Sequence, residues 1–432
     1  MRICRTTRPL PFTWIRDVRI LVLNCCYLNP QIANCIRRLP VEYVEFPLPL
    51  KAIRSSLQQR IRHARKLLRA IEQQKPDLIL DLHGLGVLPL DESAQNWVPT
   101  ESGKTWCVWW WDTPWYFISR SAVPSTWINV MKSPDVIHFT WDEPLSREYS
   151  VWFEKPVRWL PTGVDPSGFA SSPRGSVDVA KPKYDIAFLG TFFRPSRTQD
   201  HSPIGREIEF LSREHVKNPR LSLFELAAGF RAEAPRFNRL IQRELKCSTK
   251  GFSNELAYWK ARLVLWTGYL RRFLCLEYVR QNFTSRLFVG KNWPEEYGAR
   301  ARRVLDPGKI GDCYRRSFIS LDPGTAQSFT GTSLRSYEIM ASGGLLACRK
   351  YPDFDPYGEL DGHVYVGFAD QDELLEKYRE YAQLPRRVRS IRQNAREYAQ
   401  KHHSWTSRLS SLISEAKQGK TPANTGLRGS QV

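Results

Sequence analysis

Short, mostly apolar runs recur along the chain, separated by stretches in which apolar residues return at every third or fourth position. The first series of runs covers 19–25, 78–82, 106–111, 136–139 and 157–160, each four to seven residues long. A run that is apolar throughout, without alternation, is buried on both faces, as a strand of a parallel sheet is. Between the first two runs, Ile53, Leu57, Ile61, Ala64, Leu68 and Ile71 recur at helical spacing with arginines opposite. Strand, helix, strand predicts a βαβ unit within a doubly wound sheet.

A second series follows at 184–190, 286–289, 317–321, 344–347 and 364–366. Helical patterns predict helices over 203–230, 254–279, 333–341, 372–381 and 386–401, with a last short one at 405–416. Residues 167–183 are rich in Ser, Pro and Gly and poor in apolar residues, which marks a linker. The expected organisation is an α/β chain of two Rossmann-like domains. Residues 1–166 form the first and 184–416 the second, with a helical insertion at about 203–283 and a disordered polar tail at 417–432.

Composition narrows the class. At 432 residues the chain exceeds one ordinary core, and 42% hydrophobic with 25% charged residues excludes wholesale disorder. The net charge of +20 favours anionic partners: phosphorylated small molecules, nucleic acid or an acidic membrane face. The basic peaks at 51–75 and 379–396 read as solvated faces of amphipathic helices. None of the nine cysteines forms a C-x-x-C pair. Cys25, Cys26, Cys107 and Cys348 therefore read as small core residues of a reduced, cytoplasmic protein. No secretory signal is apparent, and the longest apolar stretch, 263–279, is broken by Arg271, Arg272 and Glu277. Any membrane association is expected to be weak and peripheral, at an anionic face.

In doubly wound sheets ligands bind beyond the carboxyl ends of the strands. The most informative segment runs from Leu321 through Asp-Pro-Gly-Thr-Ala-Gln-Ser-Phe-Thr-Gly-Thr-Ser-Leu-Arg335-Ser-Tyr-Glu338 to Ala347. It reads as a strand, a small-residue loop, a helix opened at Thr332-Ser333, then Gly343-Gly344 and another strand. A helix start offers free N–H groups and a positive dipole end to a phosphate, and Arg335 adds a planar cationic fork. Glu338, one turn on, can accept from ribose hydroxyls. A nucleotide site is the physical reading. In the first half, 78–86 ends a strand at His83 and 109–115 ends another at Asp112 among tryptophans. Either residue can act as general base toward an acceptor hydroxyl, and burial of Asp112 would raise its pKa. The tryptophans can stack on a sugar or aromatic acceptor.

Three tempting motifs fail. Gly103-Lys-Thr105 has Val98 where a P-loop needs its first glycine, and Gly84-Leu-Gly86 lacks a third glycine. Asp353-Phe-Asp355 sits in the wrong architecture for a metal-binding pair of acids, and no His, Cys and carboxylate set has metal spacing.

The run Ser333-Leu-Arg-Ser-Tyr-Glu-Ile-Met-Ala-Ser-Gly-Gly-Leu-Leu346 resembles the glycosyltransferase-1-like domain of CgeB-like (spore maturation protein B-like) proteins. The segments 364–368, 394–396 and 402–408 are similar too, as are 159–166 and 184–190. The resemblance implies the GT-B architecture, two Rossmann-like domains facing a cleft. It implies a hexosyltransferase-type enzyme that moves a sugar from a nucleotide-sugar to an acceptor hydroxyl, with no metal and no cofactor besides the donor substrate. The acceptor, carbohydrate, lipid-linked or protein, stays open. Glu338 matches the later acid of the family's Glu-x7-Glu element, and Thr330 stands where the earlier one belongs. Gly190, Arg194, Arg197 and Lys291 match the positions that approach the donor diphosphate, beside Thr332, Ser333 and Arg335. An inactive GT-B scaffold that binds glycans or nucleotides is the alternative. A nucleic-acid binder is not expected, because no basic-aromatic recognition motif is present.

Overall fold

The computed structural model describes residues 17–24, 29–48, 56–115, 124–169, 182–192, 202–218, 221, 223–246, 254–298, 307–324, 331–350, 355 and 357–418. The chain splits into two compact units. One draws on 1–109, 133–138 and 406–432, the other on 110–132 and 139–405. Cys25, Cys26, most of the expected linker and nearly all of the expected tail lie outside the described residues.

The first sheet contains β1 (Arg19–Asn24), β2 (Glu42–Pro47), β3 (Leu78–Leu82), β4 (Thr105–Trp110), β5 (Val136–Thr140) and β6 (Val157–Trp159), in the order β2-β1-β3-β4-β5-β6. The second contains β7 (Tyr184–Leu189), β8 (Arg286–Val289), β9 (Ser317–Asp322), β10 (Leu346–Arg349) and β11 (Val366–Phe368), in the order β11-β10-β9-β7-β8. Every neighbouring pair of the second sheet is parallel. This is the α/β, two-sheet GT-B architecture that the apolar runs and the resemblance predict.

Unbroken apolar runs became strands because both faces are covered. In β7, Ile186 and Phe188 join one core cluster, with Cys275, Leu276 and Val279 of the helix Asn254–Asn282. Ala187 and Leu189 join the opposite cluster, with Tyr337, Met340, Ala395 and Ala399. One strand, not foreseen in the apolar pattern, is β2. Its residues alternate Glu, Tyr, Val, Glu at an edge and remain partly exposed, so its apolar content never reaches a continuous run. Arg19 Nε holds Glu42 from β1 at 2.7 Å.

Between β7 and β8 the expected helix over 203–230 is two helices, Pro203–Lys217 and Leu223–Gly229. Asn218 leaves the helical region at φ −123° and ψ 67°, as expected of a residue that precedes a proline. Pro235–Lys246 and the long helix Asn254–Asn282 follow. Since β7 and β8 are adjacent and parallel, all of this is one enlarged crossover connection. The later strands begin two residues after the expected positions. Gly343, at φ 75°, completes the turn before β10, and Gly362 N–H bonds Tyr365 O at 2.8 Å before β11.

Candidate functional site at the carboxyl edge of the second sheet

The chain leaves β7 toward β8 on one side and returns to β9 on the other, so the sheet's switch point lies between β7 and β9. Ligands of open α/β sheets bind at such a point. Two residues end these strands: Leu189, followed by Gly190, and Asp322.

Asp322 is fully buried. Its Oδ2 accepts the hydroxyls of Ser333 and, at 2.6 Å, Ser336; its Oδ1 accepts Gly324 N–H at 3.1 Å and lies 3.5 Å from Arg335 Nη1. One carboxylate thus fixes the entry of the helix Leu334–Ala341. Ser333 occupies the N-cap position, yet its hydroxyl serves Asp322 and makes no side-chain cap bond to the helix. Thr332 is also buried, and its hydroxyl has no hydrogen-bond partner among the described residues.

Arg335 reaches back across the switch point. Its Nε donates to Leu189 O at 2.8 Å, and its guanidinium carbon sits 4.7 Å from the centre of the Phe188 ring. A Cβ on Gly190 would lie 2.9 Å from Arg335 Nη2 and from the Phe188 ring, so a side chain there would displace them. Gly190 is also pressed against the loop after β8. A Cβ on Gly290, whose φ is 146°, would lie 2.1 Å from Gly190 O. Trp293 Nε1 donates to that same carbonyl at 3.0 Å. Two adjacent loops are therefore joined backbone to backbone at the sheet's edge.

Glu338 lies one turn into the helix and is partly buried. Burial pushes its carboxyl up to about 7; Arg335 pulls it down, and Asp322 adds to the rise. Among the described residues its carboxylate makes no hydrogen bond, so it remains available to a hydroxyl. Lys291 is exposed just beyond β8. Arg194, Arg197 and Thr330 lie outside the described residues.

Two further arginines stand here that the sequence pattern did not single out for binding. Arg272, on the helix Asn254–Asn282, donates to Thr191 O at 3.4 Å and lies 5.6 Å from the Phe188 ring centre. Arg271 is buried and contacts His215 Nδ1 at 3.3 Å. Burial, with Arg271 beside it, pushes His215 down to about 3, so its ring is neutral and can accept. Within an apolar helical stretch these arginines read only as interruptions.

In the first sheet, His83 follows β3 at φ 73°, in the left-handed region. It is buried. Just before it, the Asp81 carboxylate accepts the N–H groups of Leu85 and Gly86, each at 2.8 Å. Burial pushes Asp81 up to about 7 against those bonds. Asp112 departs from expectation: its side chain is exposed rather than buried among tryptophans. Trp109, Trp110 and Trp115 are core residues, whereas Trp111, beside Asp112, is half-buried.

A second buried polar cluster includes Lys260, from the same crossover helix as Arg272. Its ammonium pairs with Glu148 and sits 4.2 and 4.6 Å from the ring centres of Trp115 and Trp152.

Residues 271–414 match the family described as "Glycosyl transferase-like". No curated protein matches the chain in sequence. Among solved structures, an alpha-glucosyltransferase in complex with UDP and a 13-mer DNA containing an HMU base is similar at a TM-score of 0.55 and 10% identity, covering 93% of this chain and 100% of its own. Sucrose-phosphate synthase from Thermosynechococcus elongatus has a TM-score of 0.48 at 11% identity, covering 93% and 98%. HepE from Anabaena in complex with UDP and glucose has the same score and identity, covering 93% and 99%. The fold is that of the GT-B class, and the segment 271–414 is glycosyl transferase-like.

Proposed function

We propose that the chain transfers a sugar from a nucleotide-sugar donor to an acceptor hydroxyl without a metal, in the manner of the CgeB-like proteins it resembles. The observation that carries this reading is the pairing of Arg335 and Glu338 on one helix start at the switch point. Arg335 faces the donor diphosphate, with Thr332, Ser333 and the N–H groups of the helix start beside it. Glu338 accepts from the ribose hydroxyls. Gly190 allows the donor to approach the backbone, and Lys291, Arg194 and Arg197 add positive charge around the leaving group. His83 or Asp112 takes the acceptor proton; of the two, His83 is the one held buried at the end of its strand. The UDP bound in the alpha-glucosyltransferase supports a uridine diphosphate donor here.

The working location in this reading is the cytoplasm, with weak attachment to an anionic membrane face. No described helix is long and apolar enough to cross a membrane. Arg62, Arg65, Lys66 and Arg69 lie exposed on the helix Leu57–Gln74, and each basic residue near such a face contributes on the order of 1 kcal/mol.

A thermal-shift series with UDP, GDP, ADP and their sugar conjugates tests the reading. A ligand at ~100 times its Kd adds about 2.7 kcal/mol of apparent stability. Arg335→Ala and Glu338→Gln should abolish the shift while leaving the unliganded protein folded. Protection of both variants equal to that of the wild type would sink the assignment. Binding with neither sugar transfer nor donor hydrolysis would identify an inactive scaffold.

A further inference from the structure

We propose that the crossover helix Asn254–Asn282 is a working part of the donor site, and that Arg272 and Arg335 together hold the diphosphate. This rests on the nucleotide-sugar reading above. It assigns a role to a connection that otherwise looks like a decoration on the sheet.

The two guanidinium groups share one platform. Arg335 lies 4.7 Å and Arg272 5.6 Å from the centre of the Phe188 ring. They are held by backbone carbonyls on either side of one glycine: Arg335 by Leu189 O, Arg272 by Thr191 O, with Gly190 between. Both come from helices, Leu334–Ala341 and Asn254–Asn282, which converge on the carboxyl end of β7.

Two cations beside one ring repel each other. Arg349, at the carboxyl end of β10, adds a further positive charge felt at His215 and Cys275. Lys291 adds another at the rim. Against these stand Asp322, already occupied by three donors and Arg335, and Glu338. The edge therefore carries a surplus of positive charge gathered where a doubly charged ligand fits. Guanidinium forks suit phosphate oxygens because planar N–H pairs match two oxygens at once.

The chemistry follows. When the bond between the sugar's anomeric carbon and the β-phosphate oxygen breaks, its electron pair stays on that oxygen. The acceptor oxygen bonds the anomeric carbon and releases its proton to the base. Charge thus grows on the β-phosphate during transfer, and a second fixed guanidinium stabilises it where it grows. Arg335 alone, partly engaged by Asp322, does so less well.

The test compares nucleoside diphosphates with monophosphates by titration calorimetry on the full chain: UDP with UMP, GDP with GMP, ADP with AMP. Arg272→Ala should lose about tenfold or more in affinity for the diphosphate, as expected for loss of a charge-assisted hydrogen bond, while monophosphate affinity barely changes. Arg272→Lys should recover part of the loss. Arg262→Ala, on the same helix with its guanidinium bonded to Tyr258 Oη at 3.0 Å, should leave both affinities unchanged and so controls for the helix itself. Wild-type preference for diphosphate surviving in Arg272→Ala would overturn this inference and leave the donor site standing. If the wild type binds none of the six nucleotides, the donor-site reading falls and this inference with it.

Discussion

Ser336 Oγ donates to Asp322 Oδ2 at 2.6 Å, and this bond joins the last residue of a central strand to the first turn of the helix that carries Arg335 and Glu338. The carboxylate is fully buried and also receives Ser333, Gly324 N–H and Arg335. The site's geometry is therefore set from beneath by a residue that touches no ligand in the proposed reading.

Removing that carboxylate should unseat the helix start. Asp322→Ala leaves buried hydroxyls and a guanidinium without their acceptor, a loss of about 3–5 kcal/mol. Asp322→Asn keeps the shape and one acceptor, so its cost should be smaller. Urea unfolding measures both; equal stability of Asp322→Ala and the wild type would refute the role.

Glu338 gives the protein a pH dependence with a definite sign. Its carboxyl is raised from 4.5 to about 7, chiefly by burial. Between these values the folded protein binds the proton that the unfolded chain has lost, so stability is highest below about 4.5 and declines as pH rises toward 7. Glu338→Gln should flatten that decline. Ribose hydroxyls donating to the carboxylate favour its ionised form, so nucleotide binding should strengthen as pH rises through the same window and release a proton. Calorimetry in buffers of different ionisation enthalpy counts that proton; no release below pH 7 would contradict the ribose contact.

Lys260 and Glu148 form a buried pair beneath Trp115 and Trp152. Lys260→Met should destabilise by about 3–5 kcal/mol, since it strands a buried carboxylate, and adding Glu148→Leu should recover most of the loss. A double-mutant cycle by urea unfolding reads the coupling. Additive losses would show that the two charges do not depend on one another.

On the acceptor side, His83→Ala should depress transfer about 10²–10⁴-fold with donor affinity unchanged, as for loss of a general base. Asp112→Asn should have the smaller effect, because its side chain is exposed. Initial rates of donor turnover at saturating nucleotide-sugar decide between them, and the reverse ranking would move the base to Asp112.

The sequence patterns that proved most readable were those with a single physical cause. Mostly apolar runs marked ten of the strands because burial on both faces favours apolar residues on both. The edge strand β2 escaped notice because half-exposure lets Glu42 and Glu45 into it. The helix start that carries Arg335 and Glu338 was legible from the small-residue loop before it. Asp322 was not, although it lies in the same segment, because an acid after a strand looks like any surface turn until its serine partners fold over it. Arg271 and Arg272 were visible only as breaks in an apolar stretch, since nothing in a linear sequence says that a crossover helix passes beside the carboxyl end of β7. The tryptophans divide: Trp109, Trp110 and Trp115 are core residues, and Trp111 is half-buried, a difference that their spacing in the sequence does not show.

The enlarged crossover has a kinetic consequence. β7 and β8 are neighbours in the sheet, yet about a hundred residues separate them along the chain. The equilibrium cost of so long a connection is slight, since each doubling of a loop adds only about 0.6 kcal/mol. Its effect on speed is larger, because a parallel pair so distant in sequence forms only after the ends of the connection meet. The contact between Gly190 and Gly290 lies at the far end of that search, so the edge that would hold the nucleotide should be among the last parts of its unit to become ordered during folding.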